Sequence, residues 1–266
     1  MINVNVCCCI MECLTILFLP IDLSVVKALT HSAIATKQRL RIEWIDASGL
    51  ETESSDEWDR LRQCDGIVVP GGFGTRGVEG KIQAIRYARE SSVPFLGVCL
   101  GMQAAIIEYA RNVLGRSRAH SAEFQEDLEA GVEDVVIFMP EGDRDRMGGT
   151  MRLGARETVL KEGSISRRLY GIDKVMERHR HRYEVNPDVV KDLEEAGLNF
   201  VGKNTDGSGE RMEVVELSEE SHPYFVGAQF HPEFTSRPGA PNPLFFGLLQ
   251  AAQKQHLASV EGTSSS

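Results

Sequence analysis

Hydrophobic and polar residues follow one another along this 266-residue chain in blocks that predict strands alternating with helices. After Pro20 a helix is expected, because six residues recur at helical spacing: Leu23, Val26, Leu29, Thr30, Ala33 and Ile34. A strand follows at 41–46, where apolar and polar residues alternate. Apolar runs and helical patterns then alternate as strand 65–70, helix 78–91, strand 93–99 and helix 100–113. This order predicts parallel βαβ units, whose ligands bind beyond the carboxyl ends of the strands.

The second half of the chain is richer in turn residues and predicts mainly short strands. From 115 to 166 the pattern loosens into charged and glycine-rich sequence, with one strand at 135–139 and otherwise loops or short strands at the edge of the sheet. The remaining predicted elements are a helix at 189–196, strands at 199–203, 212–217 and 224–230, and a closing helix at 243–255. The fold class is therefore α/β, with a mostly parallel central sheet flanked by helices and small antiparallel additions. The expected domains are an atypical amino-terminal segment over 1–21, one domain over 22–255 and a disordered tail over 256–266.

The apolar stretch from Val6 to Ile21 has three interpretations: a strand, a secretory signal or a membrane anchor. Glu12 interrupts it and no basic residue precedes Lys27, whereas a signal peptide begins with a positively charged region. The stretch is also short for a membrane span. These observations favour a buried strand with a disordered start, and no membrane partner is expected.

Cysteine spacing and net charge limit the compartment and the partners. Six cysteines stand at 7, 8, 9, 13, 64 and 99, without the spacing of a disulfide framework, so a reducing compartment, the cytoplasm, is expected. The 39 acidic residues outnumber the 29 lysines and arginines, and the resulting net charge of −10 repels a phosphate backbone. Nucleic acid is therefore not an expected partner.

Cys99 lies in Gly97-Val98-Cys99-Leu100-Gly101, where a predicted strand meets a predicted helix. Small residues at such a junction are typical of a nucleophile elbow, here with cysteine in the place of serine. The turn would leave the sulfur at a helix amino terminus, whose dipole favours the thiolate, and would present the Leu100 N–H as an oxyanion donor. Because the motif is short and cysteine is often buried, a core cysteine at a tight turn is the open alternative.

Two further segments place candidate chemistry at the ends of predicted strands. Pro70-Gly71-Gly72-Phe73-Gly74 has glycines that allow backbone N–H groups to approach an oxyanion, and a plain turn is the alternative. His231 and Glu233 follow the strand at 224–230, and residues i and i+2 of an extended chain point to one side. A thiol nucleophile needs a base and the base needs an orienting acceptor, so this pair supplies both.

Three arginines and two histidines alternate in one short segment: Arg178, His179, Arg180, His181 and Arg182. An extended chain sends the arginines to one face and the histidines to the other. Phosphate or nucleic-acid binding is one interpretation of the arginines, although the protein is acidic elsewhere. Metal binding by the two histidines lacks a third ligand at a suitable spacing. Three isolated histidines are interpreted as hydrogen-bonded structural residues: His31, His222 and His256.

In combination, these segments resemble the class I, or triad-type, glutamine amidotransferases. The resemblance rests on the Cys99 motif continued to Gln103, on the glycine loop at 70–74, and on Gln229-Phe230-His231-Pro232-Glu233. Further segments are similar to the glutaminase domain of CTP synthase: Arg76–Lys81, Ser121–Phe124, Gly148–Gly154 and Arg178–Asn186. The resemblance covers roughly 22–250 and implies the fold of that family, with flavodoxin-like layering.

The resemblance implies a Cys-His-Glu triad and its reaction. Cys99 would attack the side-chain carboxamide of glutamine, form a γ-glutamyl thioester and release ammonia, and water would then free glutamate. His231 would move the proton, and Glu233 would orient His231. Gly72 and Leu100 match the positions whose backbone N–H groups hold the oxyanion. The family's glutamine-binding positions are matched by Gln103, Glu123 and Arg182.

The resemblance also implies a division of labour. In CTP synthase a synthase domain precedes this one, phosphorylates UTP with ATP and aminates it to CTP; these 266 residues hold no counterpart. Two alternatives are open for the family's first strand: it is rebuilt from Ile10 to Leu19, or the chain is a truncated product with a poorly formed sheet edge. No cofactor is expected for glutamine hydrolysis, and ATP and Mg²⁺ would belong to the synthase domain. The expected partners are glutamine and a CTP synthase domain or full-length oligomer. Two alternatives stay open: another hydrolase of this fold, such as a γ-glutamyl peptidase, and a non-catalytic fragment that binds full-length CTP synthase.

Overall fold

A computed structural model describes residues 3–10, 20–124, 132–139, 151–206 and 209–263. The strands in these ranges are β1 (Asn3–Ile10), β2 (Arg39–Asp46), β3 (Gly66–Val69), β4 (Phe95–Val98), β5 (Ala119–Ser121), β6 (Glu133–Phe138), β7 (Arg152–Leu160), β8 (Lys174–His181), β9 (Tyr183–Val185), β10 (Asn199–Asp206), β11 (Gly209–Glu216) and β12 (Phe225–Ala228). The α-helices are α1 (Pro20–Ala35), α2 (Asp56–Leu61), α3 (Val78–Glu90), α4 (Leu100–Asn112), α5 (Ile165–Tyr170), α6 (Pro187–Glu195) and α7 (Pro243–Thr263), and 3₁₀ turns lie at Ala47–Glu51 and Pro232–Phe234.

A nine-stranded sheet in the order β2-β1-β3-β4-β12-β11-β10-β7-β8 forms the centre of the fold. The first five strands pair in parallel, and the pairs from β12 to β8 are antiparallel. A smaller sheet holds β5, β6 and β9. The α/β class is therefore confirmed, and the antiparallel part is larger than the small additions expected.

Helices cover both faces of the parallel half, because successive residues of its central strands enter different apolar clusters. In β4, Phe95 belongs to the cluster that includes α3 and α4, and Leu96 belongs to the cluster that includes α1 and α7. Every residue of β3 and β4 is buried. Strands buried on both sides read as continuous apolar runs, which is why the sequence predicted them correctly.

Helix α1 forms where expected but buries a different face. Its buried residues are Val25, Ala28, Leu29, Ser32 and Ala33, which follow the i, i+3, i+4, i+7, i+8 spacing of one helical stripe. Leu23, Thr30 and Ile34, which share the helical spacing seen in the sequence, are exposed. The small side chains of Ala28, Ser32 and Ala33 allow close packing there, and hydropathy alone does not distinguish this stripe from its neighbour.

The amino-terminal strand is present, but it lies earlier than expected. β1 covers Asn3–Ile10 and pairs between β2 and β3, with Val4 and Val6 fully buried. The strand predicted from Ile10 to Leu19 overlaps β1 only at Ile10, and residues 11–19 lie outside the described residues. Among the helices that the structure describes, none is both long and apolar enough to cross a membrane.

The expectation for 115–166 missed the strand β7. This nine-residue strand pairs with β8 from Arg152 to Val159, and β6 belongs to the smaller sheet rather than to the edge of the main one. Five of the nine residues of β7 are exposed, and charged residues and Gly154 interrupt its apolar residues, so its sequence has no continuous apolar run. Residues 148–150 of the Gly148–Gly154 segment lie outside the described residues.

The carboxyl-terminal helix also continues further than expected. The tail predicted to be disordered from 256 is helical to Thr263, and 264–266 lie outside the described residues. His256 Nδ1 lies 3.1 Å from Asp65 Oδ1, next to the start of β3. This tertiary contact gives the polar end of the helix a partner that its composition did not indicate.

Gly80 should be irreplaceable for stability, because a Cβ there would lie 1.7 Å from the carbonyl oxygen of Ala47. Gly80→Ala should lower the free energy of unfolding by about 2 to 3 kcal/mol, as overpacking does. Gly66→Ala is the matched control, since its Cβ would meet nothing closer than 3.4 Å. Urea unfolding of both variants checks this, and equal stabilities would contradict the packing of α3 on the 3₁₀ turn.

Candidate active site

The three segments singled out in the sequence meet at one edge of the sheet. Strands β3, β4 and β12 are parallel neighbours, in the register Val69 to Gly97 and Val98 to Ala228. Their carboxyl ends carry, in order, the glycine loop, Cys99 and the segment that contains His231. Because these ends lie side by side, the topology itself assembles the candidate site.

Cys99 occupies a strained turn between β4 and α4. Its backbone has φ 51° and ψ −101°, in the positive-φ region that residues other than glycine rarely adopt. The Cys99 N–H donates to the Ala228 carbonyl at 2.7 Å, which holds the turn against β12. The side chain is 4% exposed, so the sulfur lies at the bottom of the site.

The two glycines around Cys99 are required by close backbone approach. A Cβ at Gly97 would lie 2.7 Å from the backbone of Gly101, and a Cβ at Gly101 would lie 2.0 Å from the carbonyl oxygen of Val69. Helix α4 therefore begins directly against β3 and β4, as the Gly-x-Cys-x-Gly pattern predicted. The structure places Cys99 at a true strand-to-helix elbow.

His231 and Glu233 form the expected pair, but a turn rather than a strand brings them together. His231 Nδ1 lies 2.8 Å from Glu233 Oε1, and both side chains are almost completely buried. β12 ends at Ala228, and Pro232–Phe234 is a 3₁₀ turn, so the predicted extension to 230 with i, i+2 alternation was wrong. The proline favours this turn, because its φ is already fixed near the helical value.

The glycine loop packs directly against the pair. A Cβ at Gly71 would lie 2.7 Å from His231 Cε1 and 3.4 Å from Cys99 Cβ. A Cβ at Gly72 would lie 3.3 Å from Leu100 Cδ2, so the two residues expected to offer oxyanion donors are neighbours. Gly71, which the sequence analysis left without a role, makes room for the imidazole.

The electrostatics of the site favour a charged imidazole. Burial lowers the pKa of His231, but the charge of Cys99, its hydrogen bond and the Glu233 carboxylate outweigh burial and raise the pKa to about 10. A negatively charged sulfur would stabilise the imidazolium, as the Glu233 carboxylate does. The arrangement can therefore hold a thiolate–imidazolium pair, the state in which a cysteine is nucleophilic.

Glu123 and Arg182 lie beside the glycine loop, as a common substrate site requires. Burial raises the pKa of Glu123, against a hydrogen bond with the Gly74 backbone. The positive charges of Arg182 and Lys81 act in the same direction as that hydrogen bond, so both lie near the carboxylate. Lys81 is 3% exposed, and a Cβ at Gly72 would be 4.0 Å from its Nζ. Lys81 belongs to the Arg76–Lys81 segment, but nothing in the sequence indicated that its side chain lies at this site.

Gln103 lies in the first turn of α4, and its amide faces the protein. Its Nε2 donates to the Tyr183 carbonyl at 3.0 Å and to Gln229 Oε1 at 3.1 Å. Gln229 Nε2 in turn lies 3.7 Å from Cys99 Sγ. Gln229 had no role assigned from the sequence, although an amide at the end of an apolar strand is expected to be buried and to need hydrogen-bond partners.

The alternating arginines and histidines are separated as predicted along β8. Arg178 and Arg180 are exposed, and His179 and His181 are buried. Arg182 is the exception, because it lies at the bend between β8 and β9 and is half-buried near Glu123. The grouping of all three arginines on one face was therefore wrong.

A third candidate metal ligand lies beside the two histidines, contrary to the sequence expectation. One ligand atom each from His179, His181 and Glu213 lies within 4.8 Å of the others. However, Arg152 Nη2 lies 3.5 Å from Glu213 Oε1, so a guanidinium already neutralises the carboxylate. Burial, followed by neighbouring positive charge, lowers the pKa of the two histidines to about 2 and about 3. We interpret the cluster as a buried polar support beneath the site, not as a metal centre.

The three isolated histidines make the hydrogen bonds expected of structural residues. His31 Nδ1 lies 3.0 Å from Ser236 Oγ, and His222 Nε2 lies 3.0 Å from the Ala88 carbonyl. His256 contacts Asp65, as described above. Each of these rings joins two segments that are far apart in the sequence.

A buried carboxylate supports the turn that carries His231. Glu177 on β8 accepts hydrogen bonds from Tyr170 at 2.7 Å, Thr235 at 2.9 Å and Asn242 at 2.9 Å. Burial raises the pKa of Glu177 to about 7, further supported by the negative charge of Glu233. These hydrogen bonds connect the segment that carries His231 to β8, to the end of α5 and to the residue before α7.

Comparison with known proteins matches the chain to one family. The family model described as glutamine amidotransferase class I matches residues 19–251. CTP synthase of Methanopyrus kandleri is 53% identical over 235 residues, and CTP synthase 1-A of Xenopus laevis is 55% identical over 239 residues. These alignments cover 88% and 86% of this chain but 42% and 39% of the relatives, so the chain spans about two fifths of their length.

Solved structures agree with that match. The glutaminase domain of Trypanosoma brucei CTP synthase, with bound acivicin, superposes with a TM-score of 0.82 at 40% identity, covering 94% of each chain. A glutamine amidotransferase of Thermotoga maritima superposes with a TM-score of 0.53 at 14% identity, over 96% of this chain and 98% of that one. The second likeness concerns the fold alone.

Glu177→Gln tests the buried carboxylate through its pH dependence. An acid whose pKa is raised from 4.5 to about 7 keeps its proton in the folded protein where the unfolded chain has lost it, so wild-type stability falls as pH rises through this window. Glutamine does not titrate, so the variant should gain on the wild type by on the order of 2 kcal/mol between about pH 5 and pH 8. Urea unfolding measures this, with exposed Glu162→Gln as control; a pH-independent difference would contradict the assignment.

Proposed function

Since this chain belongs to the class I glutamine amidotransferase family, we propose that it hydrolyses glutamine to glutamate and ammonia through Cys99, His231 and Glu233. The domain is of the CTP synthase type, because relatives of that name match most of the chain at about half identity. The observation that carries the proposal is the strained elbow at Cys99, whose sulfur raises the pKa of the buried His231 imidazole.

The geometry supports a two-stage reaction. The Cys99 thiolate attacks the carboxamide carbon of glutamine, and the backbone N–H groups of Gly72 and Leu100 hold the oxyanion. The His231 imidazolium gives its proton to the departing nitrogen, which leaves as ammonia, and the γ-glutamyl thioester remains. Water then attacks the thioester while His231 accepts its proton, and glutamate leaves as the thiolate re-forms. Glu233 orients the imidazole throughout.

The charged residues beside the glycine loop suit the amino-acid end of glutamine. The Glu123 carboxylate is proposed to bind the α-ammonium, and the Arg182 guanidinium to bind the α-carboxylate. Lys81, buried against the same loop, adds positive charge close to Gly72. We keep Gln103 as a residue of this site, although its Nε2 serves the protein rather than the ligand.

The wider role rests on the relatives. We propose that the ammonia passes to a CTP synthase domain, or to a full-length CTP synthase oligomer, as the partner of this chain. Glutamine hydrolysis itself is proposed to need no cofactor, with ATP and Mg²⁺ reserved for that partner. A cytoplasmic location and the absence of a nucleic-acid partner stay predictions; the free thiols of Cys64 and Cys99 agree with a reducing compartment.

Cys99→Ala should abolish glutamine hydrolysis and leave the fold intact, because alanine removes only the nucleophile. Cys64→Ala is the matched control, since Cys64 is also a buried free thiol but lies after α2, away from the site. Glutamate release measures activity, and circular dichroism checks the fold. Full activity in Cys99→Ala would contradict the proposal. Activity on γ-glutamyl peptides but not on glutamine would favour the peptidase, and a folded but inactive wild type the non-catalytic fragment.

His231→Ala should lower turnover by about 10²-fold or more, the usual effect of losing a positioned acid–base group. Glu233→Ala should cost less, because an imidazole without its carboxylate still adopts the productive orientation part of the time. His256→Ala, which loses a hydrogen-bonded ring far from Cys99, is the control. If His231→Ala kept wild-type turnover, the imidazole would have no part in the reaction.

This chain alone should make no CTP from UTP, ATP and glutamine. Amination of a pyrimidine needs its carbonyl oxygen activated by phosphoryl transfer, which requires a phosphate cradle and a magnesium site. No Gly-x-x-x-x-Gly-Lys-Ser/Thr sequence occurs in the 266 residues. Glutamine labelled at its amide nitrogen, with and without both nucleotides, should yield labelled ammonia at the same rate. Labelled CTP would show that the chain does more than supply nitrogen.

A further inference from the structure

The side-chain amide of Gln229 lies next to the sulfur of Cys99. Gln229 follows β12, is 1% exposed, and its backbone N–H is anchored to the Glu213 carbonyl at 2.8 Å. Its Nε2 lies 3.7 Å from Cys99 Sγ, within the range of an N–H···S hydrogen bond. The amide therefore touches the atom that would react.

The orientation of this amide follows from its neighbour. Gln103 Nε2 has two hydrogens, and its two partners are the Tyr183 carbonyl oxygen and Gln229 Oε1. Rotating the Gln229 amide by half a turn would place two N–H groups face to face at 3.1 Å, with no acceptor between them. The oxygen must therefore face Gln103, and the N–H groups must face the sulfur.

We infer that Gln229 is a further catalytic residue, whose amide N–H stabilises the Cys99 thiolate, and that Gln103 is the positioning residue that fixes this amide. The inference rests on the proposed function for its importance to turnover, but the contact itself concerns the thiolate alone. A thiolate accepts hydrogen bonds and a thiol mainly donates one, so a donor aimed at the sulfur favours the charged form.

A backbone carbonyl also lies near the sulfur and has the opposite effect on its protonation. The Arg180 carbonyl oxygen lies 4.0 Å from Cys99 Sγ and can only accept, so it favours the protonated thiol. His231 and Gln229 both favour the thiolate, one by its charge and the other by its amide. Removal of the Gln229 donor should therefore shift the balance toward the thiol without moving the histidine.

Alkylation of Cys99 as a function of pH tests the inference and needs no glutamine. Iodoacetamide reacts with the thiolate, so peptide mass spectrometry of the Cys99 peptide reports how much of it is present. Gln229→Met keeps the length of the side chain and removes the donor; at about pH 6 its rate should fall about tenfold, as expected when a hydrogen bond to a charged group is lost. At about pH 10 the two rates should converge. Gln103→Met should also lower the alkylation rate at about pH 6, but by less than Gln229→Met does.

Gln38→Leu is the matched control, because it removes another buried amide whose Nε2 donates to the Leu249 carbonyl, away from the site. Its alkylation profile should match the wild type. An equal loss of rate at every pH in Gln229→Met would mean a displaced sulfur and would overturn the inference, as would no loss at all. If Gln229→Met does not fold, Gln103→Met tests the inference. A lower alkylation rate at about pH 6 supports it, and an alkylation profile equal to that of the wild type overturns it. A wild-type chain without glutaminase activity but with these shifts would overturn only the proposed function.

Discussion

The strained backbone at Cys99 is the constraint on which the rest of the site depends. A non-glycine residue in so unusual a conformation costs about 1 to 3 kcal/mol, which the surrounding structure must offset. The offset is visible in the contacts of the turn: the Cys99 N–H donates to the β12 backbone, and α4 begins so close to β3 and β4 that neither Gly97 nor Gly101 has space for a Cβ. The elbow therefore exists only because three parallel strands are already in register.

Burial then determines the chemistry of the groups that this geometry collects. His231 is buried yet has a raised pKa, because its interactions with Cys99 and the Glu233 carboxylate outweigh the effect of burial. Beneath it, His179 and His181 are buried with Arg152 nearby and stay neutral. Histidines of one site thus take opposite protonation states, which confines the positive charge to the ring that faces the nucleophile.

The sequence predicted those parts of the fold whose signal is local. The continuous apolar runs of β3 and β4 and the glycines around Cys99 needed no tertiary information. β7 was missed because charged residues and Gly154 interrupt its apolar residues, and the buried stripe of α1 was not identified because neighbouring stripes are equally apolar. Glu213 and Gln229 owe their roles to partners far away in the chain, as with Gln103 and Gln229, which are 126 positions apart.

The most direct test of the central claim is to trap the covalent intermediate. The chain is mixed with glutamine labelled in its carbon skeleton, quenched in acid within milliseconds, and digested at low pH so that a thioester survives. We expect the label on the peptide that contains Cys99, and we expect hydroxylamine to release it. Steady formation of labelled glutamate with the label on another peptide would contradict the assignment of Cys99 as the nucleophile.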